Sequence, residues 1–209
     1  MNKLNGKRTD TMNIGKLKKF IIAKITNEIP DALSYHGVHH TLDVLNACNA
    51  YIRRLKIAGK DAYLLRTAAL MHDIGIMWNY FNHEEQGIKY VRETLPGWGY
   101  SSNDIDRICS MIGATRLPQK PTNLLEQILC DADVDYLGTD LFYSIGETLF
   151  KEFLVYNVVK NEEEWDRLQV KFLSTHSYHT AYGKKYREPV KRNYLTEIVH
   201  KWGWEEIKS

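Results

Sequence analysis

The sequence predicts an all-α protein folded as a single compact helical bundle. Apolar residues recur at three- and four-residue spacing through most of the chain, and no run alternates apolar with polar residues as a half-buried strand would. Capping residues and helix breakers punctuate those periodic stretches. At 209 residues the chain can bury one sizeable core and is short for two independent ones. The expected organisation is a mobile polar tail over residues 1–12 and one helical domain over 13–209, with its core at about 14–149 and a helical extension at about 150–209.

Ile14, Leu17, Phe20, Ile21 and Ile25 define a first amphipathic helix that ends near Pro30. A second is expected from Thr41 to Ala58, with Leu42, Leu45, Cys48, Ile52 and Leu55 inward and Gly59 as its stop. A third runs from about Asp61, read as its N-cap, to Asp73, where Gly75 lets the chain turn away. The fourth spans His83 to Leu95 and ends at Pro96-Gly97. Ser102 or Asn103 caps the next, which reaches about Ala114, and Thr122 or Asn123 caps the one after the loop at Pro118 and Pro121. Helices from about Leu141 to Val159, Glu162 to Thr175 and Pro189 to Trp202 complete the chain, the middle one opened by an acidic turn that suits the helix dipole.

Composition narrows the function classes. The net charge of +2 says little about partners, and the basic clusters at Lys3–Lys19 and Lys184–Arg192 are not interleaved with aromatics as a nucleic-acid platform would be. No apolar signal core precedes Ile14, and the apolar run Leu149–Val159 is broken by Lys151 and Glu152, so neither a secretory signal nor a membrane span is expected. Three cysteines, Cys48, Cys109 and Cys130, sit in apolar segments without a CxxC, as free buried thiols in a reducing cytoplasm would. The five tryptophans could form a homodimer interface if several are exposed.

Chemistry concentrates in Ala68–Trp78, AALMHDIGIMW, where a histidine and an aspartate stand side by side in an apolar run. Burying both without partners would cost several kcal/mol. A divalent cation compensates both, since neutral imidazole nitrogen and ionised carboxylate oxygen are standard ligands for it. Two other segments could supply more ligands: YHGVHHTLDV at Tyr35–Val44 and ILCDADVDYLG at Ile128–Gly138. In a helix His36, His40 and Asp43 share a face, whereas Asp131, Asp133 and Asp135 cannot all do so. Spacing alone leaves His36, His39 and His40 as equal candidates.

His, then His-Asp, then Asp, each beside an apolar helical run, resembles the HD-domain superfamily of metal-dependent phosphohydrolases. The likeness covers roughly Ile14–Leu149. YHGVHHTLDV is similar to that family's Tyr-His-Asn-x-x-His-Thr/Ala-x-Asp-Val segment, with Gly37 where Asn is usual. DADVDYLG resembles the form in which an Ala-Asp pair carries the last ligand. The resemblance implies a compact HD-type bundle and assigns His40, His72, Asp73 and Asp133 to the metal, which would be Mn, Ni, Co, Fe, Zn or Mg. It implies hydrolysis of a phosphomonoester or phosphodiester, of a nucleotide by expectation, by metal-bound hydroxide, with Asp73 in the catalytic centre.

The same resemblance gives His36 as the group that protonates the leaving oxygen and His83, in NHEEQG, as an extra ligand of a second metal. Asp131 is a further candidate for a second ion or for support of the first. Where two-metal members carry another histidine, this chain reads MIGATRLP, which favours one metal and makes Arg116 a candidate phosphate clamp. The C-terminal stretch FLSTHSYHTAYGKKYR resembles a His-x-Tyr-x-Thr element of small HD proteins and, with Lys191, offers His176 and Tyr178 as substrate-binding groups. The bland reading of that stretch is a capped helix end with exposed aromatics. Two other readings of the chain are a nucleotide-binding module without turnover and a mixed-valent di-iron oxygenase.

Overall fold

The computed structural model describes residues 13–204, so the polar tail expected at residues 1–12 lies outside the described part. Ten α-helices follow one another: α1 Ile14–Glu28, α2 Val38–Arg54, α3 Gly59–Met71, α4 His83–Thr94, α5 Ser102–Thr115, α6 Leu124–Asp133, α7 Phe142–Val155, α8 Glu162–Thr175, α9 Ala181–Tyr186 and α10 Glu188–Trp202. Short 3₁₀ turns occupy Ile74–Met77, Leu95–Trp98 and Asp135–Gly138. Among the described residues there is no strand, so the fold is all-α.

The main core is built by α1 to α6. The stripe Leu17, Ile21 and Ile25 turns α1 inward onto α3, and α2 packs on α3 and α6 through Val44, Leu45 and Cys48. Helix α3 is buried nearly all round from Leu64 to Met71, which makes it the central rod. Each fully buried Leu or Ile there contributes about 1.5–3 kcal/mol of transfer free energy. All three cysteines are free and buried. A second apolar cluster joins Leu137, Phe142, Val170, Leu173, Ile198 and Val199, so the layer of α7 to α10 has its own core.

Several boundaries differ from expectation for identifiable reasons. Helix α2 starts at Val38 and stops at Arg54 because Lys56 takes a left-handed conformation (φ 55°), with the Ile57 N–H returning to the Ile52 carbonyl at 3.0 Å. Gly59 therefore opens α3 instead of ending α2. Asp61 lies in the first turn of α3 and pairs with Arg107 at 2.6 Å instead of capping. Asn157 (φ 54°) ends α7 in the same way as Lys56 ends α2, with Val158 N–H on the Phe153 carbonyl, four residues before the expected end. Ser101, not Ser102 or Asn103, caps α5 in a reciprocal capping box with Asp104. Asn123 caps α6 by accepting from the Leu125 and Glu126 N–H groups. The six-residue helix α9 was not expected.

Gly75 does more than turn the chain. A Cβ there would lie 1.9 Å from the His83 carbonyl oxygen and 2.3 Å from the Gly87 nitrogen, so the turn after α3 rests directly on the backbone of α4. Gly75→Ala is expected to destabilise the protein by about 3 kcal/mol or more, measured by urea unfolding.

Glu126 ties the loop at Thr122 to α5, accepting from the Ser110 hydroxyl and from the Thr122 N–H and hydroxyl. Burial pushes its carboxyl up, and these bonds more than reverse that, holding it below its ordinary 4.5. The stabilisation is therefore full above about pH 4.5 and is lost as pH falls through the lower folded value. Glu126→Gln should cost about 1–3 kcal/mol near neutrality and flatten this part of the acid limb in urea titrations from about pH 7 to about pH 3.

Candidate metal centre

Three helix ends converge on one point. His40 lies in the first turn of α2, packed against the Tyr35 ring with centroids 4.4 Å apart. His72 and Asp73 close α3, and Asp133 is the last residue of α6. The His40 and His72 Nε2 atoms are 3.2 Å apart. Asp73 Oδ2 lies 3.2 Å from His40 Nε2 and 3.0 Å from His72 Nε2, and Asp133 Oδ1 lies 3.2 and 3.3 Å from the same two atoms. All four donor atoms fall within 4.8 Å of one another.

The donor set fits a divalent cation. The ring of His72 is fixed by Nδ1–H donating to the Ala69 carbonyl at 2.9 Å, so Nε2 is the nitrogen that faces the other three donors. Asp73 Oδ2 is buried beside both imidazoles yet has no hydrogen-bond partner. Neighbouring ligands at right angles around an ion with bonds of about 2.1 Å stand about 3.0 Å apart, which is the spacing observed. Burial works against ionised carboxylates here, but the imidazoles overcome it, holding Asp73 well below its usual range and Asp133 at about 2.

His83 opens α4 beside the cluster. Its Nδ1 faces the Tyr80 carbonyl at 3.1 Å, and its Nε2 lies 3.4 Å from Asp73 Oδ1 and 3.6 Å from Glu84 Oε1. Asp73 thus presents one oxygen to the four-donor cluster and the other to His83. His36 precedes α2, in the turn before the Gly37 N-cap, and so reaches the site from outside that helix. Its ring centroid is 5.9 Å from that of His40 and 5.8 Å from that of His83.

Glu152, fully buried on α7, is the member of the site that motif reading missed. One of its oxygens accepts from the Tyr35 and His36 N–H groups at 2.9 and 3.0 Å. The other bonds His36 Nδ1 and accepts from the Tyr80 hydroxyl at 2.9 Å. Burial opposes its charge, but the hydrogen bonds from His36 outweigh that and hold the carboxyl below its ordinary value. A glutamate inside the apolar run LFKEFL raises the same question as the His-Asp pair, namely what compensates it; that signal was available in the sequence.

A cavity of about 500 Å³ opens on this arrangement, with His36, Asp73, His83, Arg116 and Asp133 in its wall. Arg116 stands at the C-terminal end of α5, 52% exposed and 3.7 Å from Glu84 Oε2.

The remaining candidates lie outside the cavity wall. Asp131 turns away from the ion site and accepts from the His179 N–H, the Thr180 N–H and the Thr180 hydroxyl, anchoring the C-terminal layer. It is not one of the four clustered donors. Tyr178 is fully buried rather than exposed, and its hydroxyl donates to the Val134 carbonyl at 3.0 Å. Lys191 is also fully buried; its ammonium donates to the His176 carbonyl and pairs with Glu188 at 2.9 Å. His176 stacks on Phe172, and burial together with Lys191 pushes its imidazole down to about 4. None of the three lines the cavity.

The fold and site define a helical protein with a buried histidine–aspartate ion centre facing a cavity. Residues 37–135 match the HD domain, so that segment of the chain carries an HD domain. All four clustered donors fall inside the match, whereas His36 and Glu152 fall outside it. The fold is similar to the crystal structure of a predicted HD superfamily hydrolase from an uncultured Thermotogales bacterium, at 21% identity and a TM-score of 0.58 over 91% of this chain and 97% of that one. No curated protein matches the chain. Among the described residues no helix is long and apolar enough to cross a membrane.

Asp133→Ala is expected to weaken Mn²⁺ or Co²⁺ binding by more than about a hundredfold in calorimetric titration. Asp131→Ala should lower stability while leaving that affinity within about threefold, which separates the anchoring aspartate from the ligand.

Proposed function

We propose that the protein is a metal-dependent phosphohydrolase acting on a phosphomonoester or phosphodiester. The observation that carries this reading is the pairing, across one cavity, of a four-donor N/O cluster with a histidine held by a buried carboxylate. The HD domain over residues 37–135 and the fold shared with a predicted HD superfamily hydrolase support it. His40, His72, Asp73 and Asp133 would hold the ion. A divalent cation so bound supplies a Lewis acid that acidifies water and polarises a phosphoryl oxygen.

The chain's own groups do the rest. The Arg116 guanidinium, with its planar donors at the cavity wall, binds a phosphate oxygen. In its doubly protonated form His36 keeps Nδ1–H on Glu152 and hands its Nε2 proton to the leaving oxygen. Glu152 is the positioning residue. Ionised and fastened by two backbone N–H groups and the Tyr80 hydroxyl, it fixes the tautomer and direction of the imidazole as a triad carboxylate does.

The test is hydrolysis by metal-stripped protein reloaded separately with Mn, Co, Ni, Fe, Zn or Mg. Turnover should return with metal and vanish in Asp73→Ala; uptake without turnover of any ester would leave the binding module or the oxygenase instead. His36→Ala should retain metal and slow a poor alcohol leaving group by about two to four orders of magnitude. Glu152→Gln should slow it by about 10–100-fold. Both variants should hydrolyse a p-nitrophenyl ester much more nearly normally, since that leaving group needs no proton. Equal losses on both kinds of ester would remove the proton-transfer role.

A further inference from the structure

The reading above leaves the alcohol half of the ester unassigned. The cavity that begins at Asp73 and Asp133 continues between α7 and α8, where Leu137, Leu149, Phe153, Trp165, Leu168 and Phe172 form its wall. In the part contributed by α7 and α8 the polar groups are the Gln169 amide, which donates to Asp166 Oδ1 at 2.8 Å, and the Trp165 indole N–H. Around the mouth, Phe81 and Leu117 are 74% and 59% exposed, large apolar side chains with little of their surface covered. The cavity is thus charged where it meets the ion centre and apolar along α7 and α8. At about 500 Å³ it has the size of a pocket for a drug-sized ligand, far larger than a phosphate needs.

A nucleoside carries donors and acceptors on base and sugar, and this wall offers them almost no partners; burying them unpaired would oppose binding. A hydrocarbon chain asks only to leave water. We propose that the substrate is the phosphate ester of an apolar alcohol, with an alkyl or prenyl chain lying along α7 and α8 and its phosphate at the ion centre. The proposal rests on the phosphohydrolase reading and names its substrate class, in place of the nucleotide expected from the sequence.

Two measurements on the full-length, Mn²⁺-loaded protein test it. In the first, kcat/KM is compared for n-alkyl phosphates from ethyl to decyl and for nucleoside monophosphates. The expected result is a rise of about two- to fourfold per methylene until the cavity is filled, with the longer chains well ahead of every nucleotide. A flat series, or a nucleotide preferred to decyl phosphate, overturns the proposal while leaving the phosphohydrolase intact. In the second, calorimetry reads the binding of n-alkylphosphonates, which cannot be hydrolysed. Affinity rising with chain length in a protein that turns over no ester would sustain the apolar site and refute the hydrolase. Binding independent of chain length would refute the site. Leu168→Gln and Phe172→Gln should each flatten both series, lowering decylphosphonate affinity by more than about tenfold; an unchanged slope in both variants also overturns the assignment.

Discussion

Two imidazoles and two carboxylates, taken out of water and held within 4.8 Å of one another, set the terms for the rest of the structure. Such a group is tolerable only where something positive sits among the donors, and the helices are arranged accordingly. Helices α3 and α6 both end at the site, so the partial negative charge of two helix C-termini is directed at the place where a cation would lie. The surrounding core keeps those ends in register. Buried α3 carries His72 and Asp73, and its exit turn is pressed against α4 at Gly75, which brings His83 beside Asp73.

Three alternating aspartates on one segment show how finely the backbone divides labour. Asp131 holds the loop at His179 and Thr180, Asp133 faces the histidines, and Asp135 pairs with Arg187 at 2.8 Å. Two of the three therefore fasten the C-terminal layer to the segment that supplies the last donor. That layer, in turn, returns Glu152 to His36 and contributes the apolar wall of the cavity.

Much of this was legible in the sequence because it is periodic or repeats a motif. The stripe Leu17, Ile21, Ile25 and the His-Asp pair in an apolar run follow from spacing and from the energetics of burial. Choosing Asp133 over Asp131 needed the family resemblance, since both are polar residues on a buried helix and differ only in the direction to which two 100° steps turn them. Helix ends at Lys56 and Asn157 were not legible: neither residue is a glycine, and tertiary packing holds each in a left-handed conformation. His176, Tyr178 and Lys191 misled for a related reason. Polar groups so dense looked like ligand contacts, whereas Tyr178 and Lys191 bond the main chain and Glu188 inside the protein. Glu152 was read only as a charge that interrupts an apolar run, because a lone glutamate in a helix is ordinary until its burial is known.

The four donors lie within residues 37–135, and Glu152 and most of the apolar wall lie beyond them. The groups that would hold the ion and the wall proposed to select the substrate thus lie in separate parts of one chain. Drift in α7 and α8 can remodel what the cavity admits while the ion ligands stay untouched, so descendants of this architecture are free to diverge in diet without first losing their metal.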